Sequence, residues 1–188
     1  MKICLSSQLM IGAAMLACAS AGAAGTAPLS LPEGQVLRAD DQRLSERARK
    51  LIRIGETGIA RQDDQALDAF FAPGFVFHGP AGQTGYPQLK AAFAAYRASF
   101  KDFRVTRQAI VENGDFVAAR TTMSGVFVQT FDTPFGSIAP TGRRAQWELV
   151  NIFRYDANGQ LAEEWVQYDN AGMLRQLGVE FTLRQAGK

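Results

Sequence analysis

The chain has 188 residues, with 20 Lys and Arg against 18 Asp and Glu, one histidine and two cysteines, and 47% of its residues are apolar. A formal charge of +2 spread over fifteen scattered arginines and a few lysines lacks the clustered basic face of a nucleic-acid binder, so no nucleic-acid partner is expected. One histidine and two early cysteines supply too few ligands for a zinc, haem or iron–sulfur centre, so no such centre is expected, and no Gly-rich phosphate loop is present.

Met1-Lys2 is followed by an apolar run of small residues over positions 3–19, too short and too Ala-rich to anchor in a bilayer. This is the pattern of a secretory signal peptide, with A-x-A-like cleavage sites ending at Ala19, Ala23 and Ala24. Residues 1–24 are therefore read as the signal, 25–39 with Pro28 and Pro32 as a mobile leader, and 40–188 as one domain. The mature protein is expected in the periplasm or outside the cell, with no membrane association after cleavage. The rival reading is a lipoprotein signal with Cys18 as the lipidated residue. In either case no disulfide remains, and the mature chain of about 165 residues must rely on a core, burying roughly 70% of its surface.

From position 40 the residues Leu44, Ala48, Leu51, Ile52, Gly55 and Ile59 recur at helical spacing between charged residues, which predicts a helix to about position 61. Asp63 suits the cap of a short second helix with Leu67, Phe70 and Phe71 inward, ended by Ala72-Pro73-Gly74 before a brief strand at 75–78. A third helix is predicted over 86–100, with Pro87 in its first turn and Leu89, Phe93, Tyr96 and Phe100 on one face. Beyond Lys101 the period falls to two. Strands at about 103–111, 115–130, 143–155 and 161–169, joined in part by turns at Asn113-Gly114 and Asn158-Gly159, read as an antiparallel meander. Helices followed by a meander predict an α+β fold in which helices cover one face of a curved sheet.

The turn Asp156-Ala157-Asn158-Gly159-Gln160 suits a three-residue loop, with Asp156 opening a type I turn and Gly159 in the left-handed position. Counting outward, Phe153 meets Glu163, Asn151 meets Trp165, Leu149 meets Gln167 and Trp147 meets Asp169, and all eight point to one face. Large aromatics, an amide pair and two carboxylates on one face are the composition of a pocket for a small, largely apolar organic molecule. The opposite face shows Val150, Ile152, Val166 and Tyr168 among Gln146, Glu148, Arg154 and Glu164, and is expected to bind a second copy in a homodimer.

Pro140-Thr141-Gly142, Phe153-Arg154-Tyr155, Glu163-Glu164-Trp165, Asp169 and Gln176-Leu177-Gly178 come in the order and approximate spacing of the SnoaL-like polyketide cyclases. With the earlier Phe77-His78-Gly79-Pro80 segment, the chain resembles that family over about 46–179. The resemblance implies a nuclear transport factor 2-like fold, a cone-shaped barrel of a strongly bent antiparallel sheet with three N-terminal helices covering a central pocket, usually in a homodimer. It also implies a catalytic role for Asp169: in the cyclases an aspartate at that position is acid and base in an intramolecular aldol closure, with no metal and no organic cofactor. A carboxylate facing aromatic walls is partly desolvated, titrates nearer neutrality, and can take a proton beside a carbonyl and return it elsewhere.

Each candidate has a second reading. Asp169 directly precedes Asn170-Ala171-Gly172 and equally suits the N-cap of a C-terminal helix. His78 either assists proton transfer and orients a substrate carbonyl, or is structural. Glu163 is a second acid or the ion-pair partner of Arg154. Trp165, Trp147 and Phe153, with Gln167 and Asn151, are substrate contacts and pocket walls. The expected function is exported, cofactor-independent acid/base chemistry, a cyclisation, isomerisation or elimination on a small cyclic or aromatic carbonyl or alcohol compound. The alternatives are a non-catalytic binding protein for a small apolar ligand and an epoxide or ester hydrolase on the same fold.

Overall fold

A computed structural model describes residues 29–30, 36–133 and 136–181. The expected signal peptide, its cleavage sites and Cys18 lie outside the described residues, as does most of the expected leader.

Helix α1 (Glu46–Arg53) starts where Ser45 Oγ accepts from the Ala48 N–H at 3.0 Å, and it buries Ala48, Leu51 and Ile52. Its predicted continuation is present but widens into a π-helical turn, Ile54–Ile59. Gly55 lets this turn lie close on the sheet, because a Cβ there would come within 3.2 Å of Val105 Cγ1. Asp63 caps α2 (Asp64–Phe70) by accepting from the Ala66 N–H at 3.0 Å. Helix α3 (Tyr86–Ser99) has Pro87 in its first turn and buries Leu89 and Phe93, and α4 (Asn170–Gln176) closes the described chain.

Strands β1 (Leu29–Ser30), β2 (Phe71–Gly79), β3 (Gly82–Gly85), β4 (Phe100–Asn113) and β5 (Phe116–Phe127) join β8 (Arg144–Tyr155) and β9 (Leu161–Tyr168) in one seven-stranded sheet. The strand predicted over 115–130 ends at Phe127, and a separate two-stranded ribbon, β6 (Phe131–Thr133) and β7 (Gly136–Ile138), follows it. The sheet order is β1-β4-β5-β8-β9-β2-β3. This is the expected α+β cone, with two differences. Strand β2 runs parallel to β9, so the sheet is mixed, and the edges β1 and β3 do not meet, so it curls without closing. Strand β2 also begins earlier than predicted: Ala72-Pro73-Gly74 interrupts the pairing between Phe71 and Val76, where the missing proline N–H is tolerated.

The 156–160 turn forms as predicted. The Asp156 N–H donates to Gln160 O at 2.9 Å, Asp156 Oδ1 accepts from the N–H of Asn158 and of Gln160, and Gly159 takes φ +72°. Tyr155 then pairs with Leu161 in the expected register. The next pair is Arg154 with Glu163, so Ala162 is an extra residue, a β-bulge in β9. Beyond it every side chain of β9 faces opposite to expectation. The pairs are Phe153 with Glu164, Asn151 with Val166 and Leu149 with Tyr168, in place of Phe153–Glu163, Asn151–Trp165 and Leu149–Gln167. Asp169 lies past the end of β9, so no Trp147–Asp169 pair forms. Strand β8 keeps its expected faces, with Trp147, Leu149, Asn151 and Phe153 buried and Val150 and Ile152 exposed. Val166, expected beside those two outside, is instead buried.

Candidate functional site

Between the concave face of the sheet and the helices lies a cavity of about 190 Å³. Ile54, Phe70, Phe93, Phe153, Leu161 and Val166 supply apolar walls, and the β2–β3 turn at Gly79, Pro80, Ala81 and Gly82 borders it. A dry cavity of roughly 150 Å³ accepts benzene, so this one accommodates a compound of about one ring.

Four polar side chains cross the cavity wall in a chain. Strand β4 carries its own bulge: Arg107 pairs with Thr121 and Ala109 with Arg120, leaving Gln108 unpaired between them. Arg107 Nη1 donates to Thr121 Oγ1, which donates to Asn151 Oδ1 at 2.6 Å, and Asn151 Nδ2 donates to Glu164 Oε1 at 2.7 Å. All four residues are buried, and Arg107, Asn151 and Glu164 line the cavity. The Arg107 guanidinium also lies over the Phe153 ring, 5.5 Å from its centroid. Among the described residues, Glu164 Oε2 and Arg107 Nε and Nη2 have no protein partner.

Burial dominates the electrostatics. Desolvation pushes the Glu164 carboxyl up to about 7, against the opposing pull of the Arg107 charge and the Asn151 hydrogen bond. Desolvation also brings Arg107 down to about 10, so it stays protonated at neutral pH. Burial raises the Tyr155 phenol, whose hydroxyl has no partner, and keeps it neutral.

The residues singled out from the sequence fall into four places. Asn151 and Phe153 line the cavity. Trp147 packs beside it in the aromatic core, with its ring 5.3 Å from that of Phe100. His78, Glu163, Trp165 and Gln167 lie on the outer face, because the Ala162 bulge turns β9 over and His78 pairs with Trp165. There Arg154 Nε and Nη2 donate to Glu163 Oε2 at 3.0 and 2.8 Å, which is the ion-pair reading of Glu163, and Arg154 holds its carboxyl below the usual range. Gln83 Nε2 donates to His78 Nδ1 at 3.1 Å, which leaves Nε2–H to donate to Glu163 Oε1 at 2.7 Å, and the His78 ring stacks on Trp165. This cluster ties the β2–β3 hairpin to the β8–β9 hairpin. Asp169 is 72% exposed at its side chain and accepts from the Gly172 N–H at 2.8 Å as the N-cap of α4. It does not line the cavity.

Sequence reasoning passed over Arg107, Thr121 and Glu164. A signal was available on β4 and on β9. Phe103, Val105 and Arg107 continue one alternation, which puts Arg107 inward, and the apolar parity changes from Leu161 to Val166 and Tyr168, which marks a bulge and puts Glu164 inward. Among the described residues no three His, Cys, Asp or Glu side chains are grouped so as to hold a metal ion.

Comparison with known proteins agrees with this fold. The family model of SnoaL-like polyketide cyclases matches residues 49–177. No curated protein matches the chain. Among solved structures, TsrD from Streptomyces laurentii is 28% identical with a TM-score of 0.57, covering 77% of this chain and 98% of its own. IdmH from Streptomyces antibioticus, a proposed polyketide cyclase, is 26% identical with a TM-score of 0.59, covering 72% of this chain and 100% of its own. AclR from Streptomyces galilaeus, a proposed hydroxylase, shares the fold at 22% identity and a TM-score of 0.61, over 71% of this chain and 96% of its own. The curled sheet, the helices that cover it and a family match over more than two thirds of the sequence lead to one assignment: the chain belongs to the SnoaL-like polyketide cyclase family.

Proposed function

We propose that this chain is an exported, cofactor-independent enzyme that moves a proton on a one-ring carbonyl or alcohol compound, in a cyclisation, an isomerisation or an elimination, with Glu164 as acid and base. The observation that carries this reading is a buried carboxyl pushed up to about 7, with Oε2 unpartnered, on the wall of an apolar cavity. A group whose pKa lies near the working pH is present both as base and as acid. Ionised Glu164 takes the proton from a carbon beside the carbonyl, and the same carboxyl then delivers it to another atom of the compound. Asn151 occupies Oε1, which leaves Oε2 to carry the proton.

The membership of the family and the proposed cyclase role of IdmH support proton chemistry over simple storage of a ligand. The substrate is sought by native mass spectrometry of the purified protein, and turnover is followed by NMR as deuterium taken up from D₂O. Glu164→Gln should abolish the exchange while the ligand is retained. A wild-type protein that holds its ligand and never exchanges it is a binding protein. We also propose a homodimer formed through the outer face at Val111, Phe116, Val150 and Ile152, all of them exposed.

A further inference from the structure

The cavity's unused donors say what kind of molecule it takes. Arg107 is only 4% exposed, yet of its five N–H donors one is committed, from Nη1 to Thr121 Oγ1. Nε and Nη2 have no partner, and among the described residues no carboxylate forms an ion pair with the guanidinium. Glu164 is linked to it only through Thr121 and Asn151, with its own Oε2 open. A buried cation with so few bonds is costly, and an apolar residue of the same volume would serve a core better. Nε is sealed in the wall, whereas Nη2, a charged donor without a protein partner on a cavity-lining residue, is a receptor for an anionic oxygen.

We propose that the cavity binds a small one-ring organic anion, with its ionised oxygen, carboxylate or phenolate, on the free Nη2 of Arg107 and its ring among Phe93, Phe153 and Val166. The proposal rests on the reading of the cavity as the substrate site. It deepens that reading by giving the substrate a charge.

The remaining groups around Arg107 make this charge matter. From β8, Tyr155 is neutral; from α3 and β9, Tyr96 and Tyr168 are also kept neutral by burial. Arg47 of α1 lies over the Tyr155 ring at 5.0 Å, and Glu112 of β4 acts on Tyr155 from the far end of the same strand. That leaves Glu164 as the group that changes charge near neutrality on the cavity wall. Once an anion sits on Arg107, a second negative charge on Glu164 is disfavoured, so its carboxyl rises further in the complex, one proton is taken up from solution on binding, and the ionised form that acts as base is regained as the pH is raised. Affinity should therefore fall with rising pH above about 7, approaching about tenfold per pH unit.

Isothermal titration with benzoate and its neutral counterpart benzamide, in buffers of different ionisation heat, tests this on the wild-type protein. Benzoate should bind at least about tenfold more tightly at pH 6.5 and take up close to one proton at pH 7.5. 4-Nitrophenol distinguishes the oxygen class, because its yellow band on binding reports a bound phenolate. Arg107→Met should bring benzoate down to the benzamide level, and Arg107→Lys should restore part of the difference. Benzamide bound as tightly as benzoate, with no proton uptake, would overturn the anion proposal and leave the cavity standing as a site. If no one-ring compound binds, the cavity reading itself falls and the proposal with it.

Discussion

Asn151 Nδ2 donates to Glu164 Oε1 at 2.7 Å across the β8–β9 ladder, and both side chains are buried. The bond stabilises the ionised carboxylate and so works against the desolvation that raises it. Asn151→Leu keeps the branched side-chain shape and removes the donor, so the Glu164 carboxyl should rise further. The acid limb of kcat/KM, which reports ionisation of the base in the free enzyme, should move to higher pH, with little change on the alkaline side. A pH–rate profile of the two proteins checks this.

Glu164 also links stability to pH. Its folded value of about 7 lies above its ordinary 4.5, so the unfolded chain releases the proton first. The stability associated with the protonated form is fully present below about pH 4.5, declines as pH rises toward 7, and levels off above. Glu164→Gln cannot ionise, so the difference in Tm between variant and wild type should widen in the variant's favour across that window. A constant difference from pH 4.5 to 7 would mean that Glu164 titrates normally.

Much of the fold was legible because it is written in local chemistry. Asp63 and Asp169 cap helices, Pro87 opens α3, and Asp156 with Gly159 builds the last turn as predicted. The site was not legible to the same degree, because it depends on two bulges. Ala162 reverses the facing of β9 and Gln108 interrupts β4, and neither residue type announces a bulge. One added residue exchanged Glu163, Trp165 and Gln167 for Glu164, Val166 and Tyr168 on the inner face. Counting the register outward from the turn puts Trp165 inward, whereas it covers His78 outside. The parallel β2–β9 pairing joins segments that are far apart in sequence, and no periodicity records it.

The cap at Asp169 has its own test. Asp169→Ala removes the acceptor for the Gly172 N–H and should cost about 1 kcal/mol of stability, while Asp169→Asn keeps an acceptor and should stay within a few tenths. Chemical denaturation of both variants measures the difference. Equal losses would indicate that the carboxylate charge, rather than the cap, matters there.

The proposed dimer face places Ile152, 44% exposed, beside Ala118 across the β5–β8 ladder, with Val111 next to Ala118 on β4. Ile152→Glu puts a charge at the centre of that patch and should yield a monomer by light scattering at micromolar concentration, with its far-UV spectrum unchanged. A wild-type protein already monomeric at that concentration would exclude this face as a stable interface.

The two carboxylates are separated by a single comparison, the turnover of Glu164→Gln and Asp169→Asn on the compound retained by the wild-type protein. Glu164 lines the cavity and Asp169 caps a helix at the surface. Glu164→Gln should lose about a hundredfold or more in kcat with binding retained, while Asp169→Asn stays within about threefold of wild type. The opposite result, with full activity in Glu164→Gln and a large loss in Asp169→Asn, would contradict the assignment of Glu164 as the acid and base.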